Sequence, residues 1–456
     1  MMSDKTDHTR LCAVILAAGL GTRMKSKRPK MLHTLSGRSL IDRCLETATF
    51  LTAGQPVVVV GHGSDVVRAA IADRARCAVQ DQQLGTAHAL AQAEALADGA
   101  EQVVVTYGDV PLLTVETLRQ LIDLRAATGA AITMLTVLVD DPRGFGRVVR
   151  DPRSERVLAI VEDVACTSAQ RAIREINVGA YCFDGGWLWP ALRRVASNPH
   201  TGEYFLTDLI GLAIADGREV RALLAEDRDE CIGINTRADL ARAEATVRRR
   251  VNRQHMLSGV TLLDPDSTYI EEGVTIGADT IIWPNTHLIG ETCIGSDCQI
   301  GPNSYIASSV IGDRVQVIQS VVEDSRVADD VHIGPFAHLR AGAQIGPHAH
   351  IGNFAEIKNS TLGAGTRMGH FSYLGDATVG ADVNIGAGTI TCNYDGLRKH
   401  RTVIGDYAFI GSDTMLVAPV SIGHRARTGA GAVVTKDVPD STLAVGLPAR
   451  VIRKLG

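Results

Sequence analysis

The sequence predicts an α/β domain followed by an all-β one: a doubly wound Rossmann-like sheet, a long linker helix and a three-sided solenoid of parallel strands. Three observations carry this. A short apolar run, 12–16, breaks straight into the glycine-rich turn Ala17-Ala18-Gly19-Leu20-Gly21-Thr22-Arg23-Met24. β-Branched runs at 56–60 and 103–106 then alternate with alanine-rich stretches such as 87–96, as strands and helices do when wound on one parallel sheet. From 274 to 434 an aliphatic residue followed by glycine returns in steps of six, as in Ile294-Gly295 and Ile300-Gly301, Ile345-Gly346 and Ile351-Gly352, or Ile404-Gly405 and Ile410-Gly411.

The chain has 456 residues, 45% of them apolar, enough for at least two cores. A net charge of -5 argues against a nucleic-acid surface and leaves room for small phosphorylated ligands. The nine cysteines form no CxxC pair, and the opening MMSDKTDHTR is polar where a signal peptide needs an apolar core. No apolar run reaches the ~18 residues of a membrane span. A reduced, cytoplasmic protein is expected.

In chain order, the first turn is a phosphate cradle. Its glycines let backbone N–H groups approach an anion, and Arg23 and Lys30 add positive charge. An ordinary βα turn carries the same glycines, so the turn gains weight only from residues further along the chain. At the end of the 103–106 strand stands Tyr107-Gly108-Asp109, where doubly wound sheets bind ligands. Asp109 reads as a magnesium ligand beside phosphates, although an aspartate here also suits the cap of the next helix.

Residues 236–259 carry Leu240, Ala243, Val247 and Val251 at helical spacing and read as one linker helix. Its Arg248-Arg249-Arg250 run reads as a solvated face. In the solenoid each six-residue unit forms one side of a prism, the aliphatic residue pointing inward and glycine taking the corner, where a positive φ favours it. Three units make one coil, giving about nine coils and a rod of about 40–45 Å. Its flat sides invite other copies. Arg340 and Lys358, like Ser412 and Ala430, differ by eighteen and stack on neighbouring coils; two five-residue steps, before Leu362 and Val379, bring His370 into line with Ala387. The period breaks at 393–399, which must leave the rod as a loop, and such insertions mark the binding side of a repeat. Cys392 has no identifiable activating base and reads as packing.

The string from Leu16 to Met24 with Pro29-Lys30, Gln80, Leu84-Gly85-Thr86 and Tyr107-Gly108-Asp109-Val110-Pro111 resembles sugar-1-phosphate nucleotidylyltransferases. Joined to the repeats, nearly the full chain resembles a bacterial family that couples N-acetylglucosamine-1-phosphate uridylyltransferase to glucosamine-1-phosphate N-acetyltransferase. The resemblance implies a uridylyltransferase domain at 1–237, a linker helix at 238–258 and a left-handed β-helix acetyltransferase domain at 259–456, assembled as a homotrimer. It implies that Leu16, Ala17, Ala18, Gly19, Lys30, Gln80, Gly85 and Thr86, with Tyr107, Gly108 and Asp109, line UTP. Gly146, Glu162 and Asn177 would hold N-acetylglucosamine 1-phosphate, Asp109 and Asn235 would hold Mg2+, and Arg23 would stabilise the leaving pyrophosphate.

For the second reaction the resemblance implies His370, in Gly369-His370-Phe371-Ser372-Tyr373, as the general base that frees the amine of glucosamine 1-phosphate to attack acetyl-CoA. Arg340 and Lys358 would grip the sugar phosphate, Tyr373, Asn384 and Asn393 the sugar, and Ala387, Asn393, Tyr394, Ser412 and Ala430 would border the CoA. We add the expectation that Glu356 orients His370. One departure is visible: relatives carry a CoA-contacting arginine near Leu447, and this chain offers Arg450, Arg453 or Lys454 instead. The competing reading keeps nucleotidylyl transfer and makes the solenoid a non-catalytic scaffold.

Overall fold

The computed structural model describes residues 10–61, 64–97, 99–154, 156–161, 163, 166–199 and 201–455. The chain divides into two compact units, Met1–Thr246 and Val247–Gly456.

The first unit is built on strands β1 (Leu11–Ala17), β2 (Val57–Gly61), β3 (Arg76–Gln80), β4 (Gln102–Tyr107), β5 (Ile132–Leu138), β6 (Arg147–Arg150), β7 (Val157–Val161), β8 (Glu175–Asp184) and β9 (Val220–Leu224). They run in the order β9-β5-β8-β4-β1-β2-β3, with the β6/β7 hairpin joined to β8. Helices cover both faces, so consecutive residues of β1 enter different cores: Val14 and Leu16 pack with Val57, Val103 and Tyr181, while Ala13, Ile15 and Ala17 pack with Val58, Val60 and Ile41. This is why the strand reads as unbroken apolar sequence. Along the main path the sheet is parallel except at β8, which is antiparallel to both β4 and β5, and the β6/β7 hairpin beside it is antiparallel too. Helix Val115–Thr128 follows Asp109 but is capped by Thr114, whose hydroxyl accepts from the Thr117 N–H. Asp109 is therefore not spent as a cap.

In the second unit three sheets of twelve, ten and nine strands rise together, each strand paired in parallel with its equivalent one coil on, apart from a final antiparallel hairpin. Ile282, Ile300, Val317, Ile333, Ile351, Met368, Ile385 and Ile410 stack in register as one buried column. Behind this column Gly301 (φ 101°) and Gly334 (φ 105°) take the positive φ expected, but other glycines of the repeat serve a different purpose. Gly295 and Gly405 lie outside the left-handed region, which falls two residues later, at Asp297 (φ 57°) and Tyr407 (φ 60°). A Cβ on Gly295 would stand 2.6 Å from the backbone of Gly312, and one on Gly405 2.7 Å from the His424 nitrogen. At these two positions close approach between coils, not a positive φ, excludes the side chain.

Helix Arg237–Leu257 runs into this unit. Its buried Asn252 donates to the carbonyls of Pro265 and Thr268 at 2.8 and 3.0 Å. Arg248 is not simply solvated: its guanidinium lies 4.7 Å from the centre of the Tyr269 ring, which stacks on His287. The chain closes with the hairpin Thr442–Gly446 and Ala449–Lys454, where Leu447 sits in the exposed turn.

Candidate active sites

At the carboxyl ends of β1 and β4 the first unit opens a cleft of about 460 Å³, within the range of small-molecule sites. Leu16, Ala17, Ala18, Gly19, Arg23, Lys30, Gln80, Gly85, Thr86, Tyr107, Asp109 and Asn235 all line it. The turn after β1 is held against Lys30: Gly21 has φ 63°, and a Cβ there would lie 2.6 Å from the Lys30 Cβ. The Lys30 ammonium is thereby aimed into the cleft, where it donates to Asp109 Oδ2 at 2.7 Å and to Asn235 Oδ1 at 3.0 Å. Arg23 donates to the same Asn235 oxygen at 2.9 Å. Gly108 gives its N–H to the Leu16 carbonyl, and the buried Cys44 thiol, pushed up to about 12 by burial, rests on the Gly108 carbonyl. Both ends of the Tyr107-Gly108-Asp109 turn are fixed.

Opposite, buried Gln80 donates to the Gly85 carbonyl at 3.0 Å and meets His88. Gly85 has φ 100°, and a Cβ would stand 2.5 Å from the Tyr204 carbonyl oxygen. The Thr86 hydroxyl accepts from the Leu206 N–H. Gly146 and Asn177, two of the three residues expected to hold the sugar, are not among those lining the cleft. Asn177 gives its backbone N–H to the Gly146 carbonyl at 3.3 Å and its side-chain amide to the Tyr181 hydroxyl at 2.6 Å. Glu162, the third, lies outside the described residues.

In the solenoid the pairing of His338–Arg340 with Ala355–Lys358 places Arg340 directly on Lys358, and the next pairing places Glu356 on Tyr373. The Arg340 guanidinium donates to Glu356 at 2.6 Å. The 393–400 loop does leave the rod, and it folds back as a small hairpin closed by the Tyr394–Lys399 bridge. Lys399 then comes beside Lys358 and pushes that ammonium below its ordinary value, with Arg340 adding to the effect. A Cβ on Gly375 would collide with the Tyr373 hydroxyl and stand 2.8 Å from the Asn393 amide nitrogen, so those two side chains converge over it. Arg340, Glu356, Lys358, Tyr373 and Asn393 thus gather on the ten-stranded side.

The remaining residues lie elsewhere on the prism. Asn384 pairs with Arg367 and Phe409 in the twelve-stranded sheet. His370 follows that sheet at a corner, in register with Ala387 through the Met368–Ile385 pair. Ala387, Ser412 and Ala430 follow one another up this corner, Asp413 N–H donating to the Ala387 carbonyl and Gly431 N–H to the Ser412 carbonyl. The exposed His370 side chain has no hydrogen bond among the described residues, and Glu356 bonds Arg340 instead. Sequence reasoning missed Gln83, whose amide holds the Ala18 carbonyl at 2.8 Å, and Asp376 and Lys399 beside Asn393. The Gly-Asp pair following Tyr373 was the signal for Asp376.

Two family models match: the MobA-like NTP transferase domain over residues 13–176, and the bacterial transferase hexapeptide (six repeats) over 324–359 and 401–436. Among curated proteins the chain is similar to a protein named bifunctional protein GlmU from Heliobacterium modesticaldum, 49% identical across 95% of this chain and 94% of that one. Proteins of the same name from Brevibacillus brevis (46% identical, covering 97% of this chain and 96% of that one) and Pelobacter propionicus (47%, 97% of each) align as fully.

Proposed function

The chain belongs to the family of bifunctional GlmU proteins, and from that premise we propose how its residues divide two reactions. It is an enzyme of UDP-N-acetylglucosamine synthesis, transferring acetyl to glucosamine 1-phosphate and then uridylyl to N-acetylglucosamine 1-phosphate. We assign the second step to 1–237 and the first to 259–456, with 238–258 as linker. No helix among the described residues is long and apolar enough to cross a membrane. Nine unpaired cysteines support a cytoplasmic location.

In the cleft, Leu16, Ala17, Ala18, Gly19, Gln80, Gly85 and Thr86 hold the uridine nucleotide, and Gly146, Glu162 and Asn177 hold the sugar. An oxygen of the sugar phosphate attacks the α-phosphorus of UTP, the bond to the β-phosphate oxygen breaks, and pyrophosphate leaves with the electron pair. Both reactants are anions, so Lys30 and Arg23 act by neutralising charge. Asp109 and Asn235 would hold Mg2+. Their side-chain oxygens already converge on one positive point, the Lys30 ammonium at 2.7 and 3.0 Å, and such a donor set fits a hard divalent cation. When bound, that ion supplies further charge neutralisation at the triphosphate.

In the solenoid, Arg340 and Lys358 grip the phosphate of glucosamine 1-phosphate, with Tyr373, Asn384 and Asn393 on the sugar. His370 accepts the amine proton as the nitrogen attacks the thioester carbonyl; the C–S bond breaks and CoA departs as the thiolate, which takes up a proton. Imidazole suits the task at neutral pH. Ala387, Asn393, Tyr394, Ser412 and Ala430 border the CoA. Asn384 lies in a different sheet of the prism from Arg340 and Lys358, which supports a homotrimer whose neighbouring copies complete each site.

The observation that carries the two-reaction reading over a scaffold is the cluster of Arg340, Lys358 and Lys399 on one side of the rod. Glu356 and Asp376 offset part of this charge, and the three cations still outnumber the two carboxylates, a surplus that suits an anionic ligand. Release of free thiol from acetyl-CoA with glucosamine 1-phosphate tests it, and no release above background restores the scaffold. The His370→Ala variant should lose thiol release and keep pyrophosphate release from UTP.

A further inference from the structure

Asp376 is assigned no part in either reaction, yet it joins everything the ejected loop depends on. It occupies a left-handed corner, φ 51°, just past Ser372–Gly375. Its N–H donates to the Lys358 carbonyl at 3.1 Å and its own carbonyl accepts from Thr402 at 3.3 Å, the residue at which the chain re-enters the rod. One carboxylate oxygen accepts from the Asn359 amide at 2.6 Å, the other from the Asn393 amide at 2.5 Å. Asn393 begins the loop, and its carbonyl takes the His400 N–H at 2.7 Å to close the neck. A single residue therefore touches the preceding coil and both ends of the insertion.

The chemistry of the pair fixes an orientation. Burial works against charge on Asp376, but the bonds from Asn359 and Asn393 and the nearby ammoniums of Lys399 and Lys358 outweigh it and hold the carboxyl below its ordinary value. An ionised carboxylate accepts and never donates, so the nitrogen end of the Asn393 amide must face it. The amide oxygen is left pointing away from the carboxylate as an acceptor, on a side chain that converges with the Tyr373 hydroxyl over Gly375.

We propose that Asp376 is a positioning residue for acetyl transfer, pinning the loop neck and orienting the Asn393 amide so that its oxygen accepts a hydrogen bond from the amino sugar. This rests on the acetyltransferase reading above. Asp376 acts through Asn393 and touches no reacting atom.

Steady-state kinetics of the full-length Asp376→Asn variant tests it. The KM for glucosamine 1-phosphate should rise about tenfold or more, as expected for loss of a charge-assisted hydrogen bond. The KM for acetyl-CoA, which Asn393 and Tyr394 of the same loop also border, should rise by less, and UTP turnover should be unchanged. The double variant Asp376→Asn with Asn393→Asp, which exchanges carboxylate and amide while keeping one acceptor outward, should recover most of the loss. A glucosamine 1-phosphate KM unchanged in Asp376→Asn overturns the proposal, as does an equal rise in both KM values that the double variant fails to reverse. If the single variant does not fold, Asn393→Leu must reproduce the rise in the glucosamine 1-phosphate KM; an unchanged value there overturns the proposal as well. Wild-type protein that releases no thiol would instead overturn the acetyltransferase reading itself.

Discussion

Lys30 Nζ lies 2.7 Å from Asp109 Oδ2, and the two side chains are only 9% and 23% exposed. The cleft thus opposes a buried ammonium to a carboxylate at the point where a triphosphate and its metal would meet. Removing one partner leaves the other charge partly buried and unmatched. Lys30→Ala should lower uridylyl transfer by about a hundredfold or more, and Asp109→Asn should do likewise while weakening Mn2+ binding measured by calorimetry. Thiol release from acetyl-CoA should persist in both.

Glu356 is held by Arg340 within one chain. Should its carboxylate reach His370 in the assembled enzyme, Glu356→Gln lowers acetyl-transfer kcat about tenfold or more. Full activity leaves Glu356 as the counter-ion of Arg340 alone.

Asp376 has a folded-state pKa below its ordinary value. Its contribution to the loop is therefore fully present above the unfolded carboxylate pKa of ~3.9 and is lost as pH falls through the lower folded value. Hydrogen exchange of the His400 amide, corrected for intrinsic rate, should show protection that holds at pH 6 and declines below about pH 4. In Asp376→Asn the protection should be weaker at neutral pH and flat across this range.

Ile300 is fully buried between Ile282 and Val317. Ile300→Ala should cost about 2–5 kcal/mol, because the coils above and below cannot close the gap. Urea titration followed by far-UV circular dichroism measures it.

Much of this was legible in the sequence because the relevant period is rigid. A six-residue repeat fixes which residues share a side, so Arg340 over Lys358 and His370 level with Ala387 follow from counting. The cleft was legible for a different reason: the residues after Leu16 and Tyr107 are short-range motifs at strand ends. Strand direction was not. Alternation of strand and helix leaves orientation open, and the β6/β7 hairpin lets Glu175–Asp184 enter the sheet reversed. The purpose of the repeat glycines was also hidden, since crowding between coils leaves no mark distinct from a turn signal. Asp376 and Lys399 escaped because their partners are set by how an insertion folds back, which spacing along the rod does not encode.

Between Ile282 and Ile385 successive partners are sixteen to eighteen residues apart, yet Ile385 pairs with Ile410, twenty-five on, without a break in the buried column. The rod registers only where the chain returns, not how far it has wandered. The insertion can therefore carry working side chains such as Asn393 at its neck, while the load is borne by stacked aliphatics that never enter it.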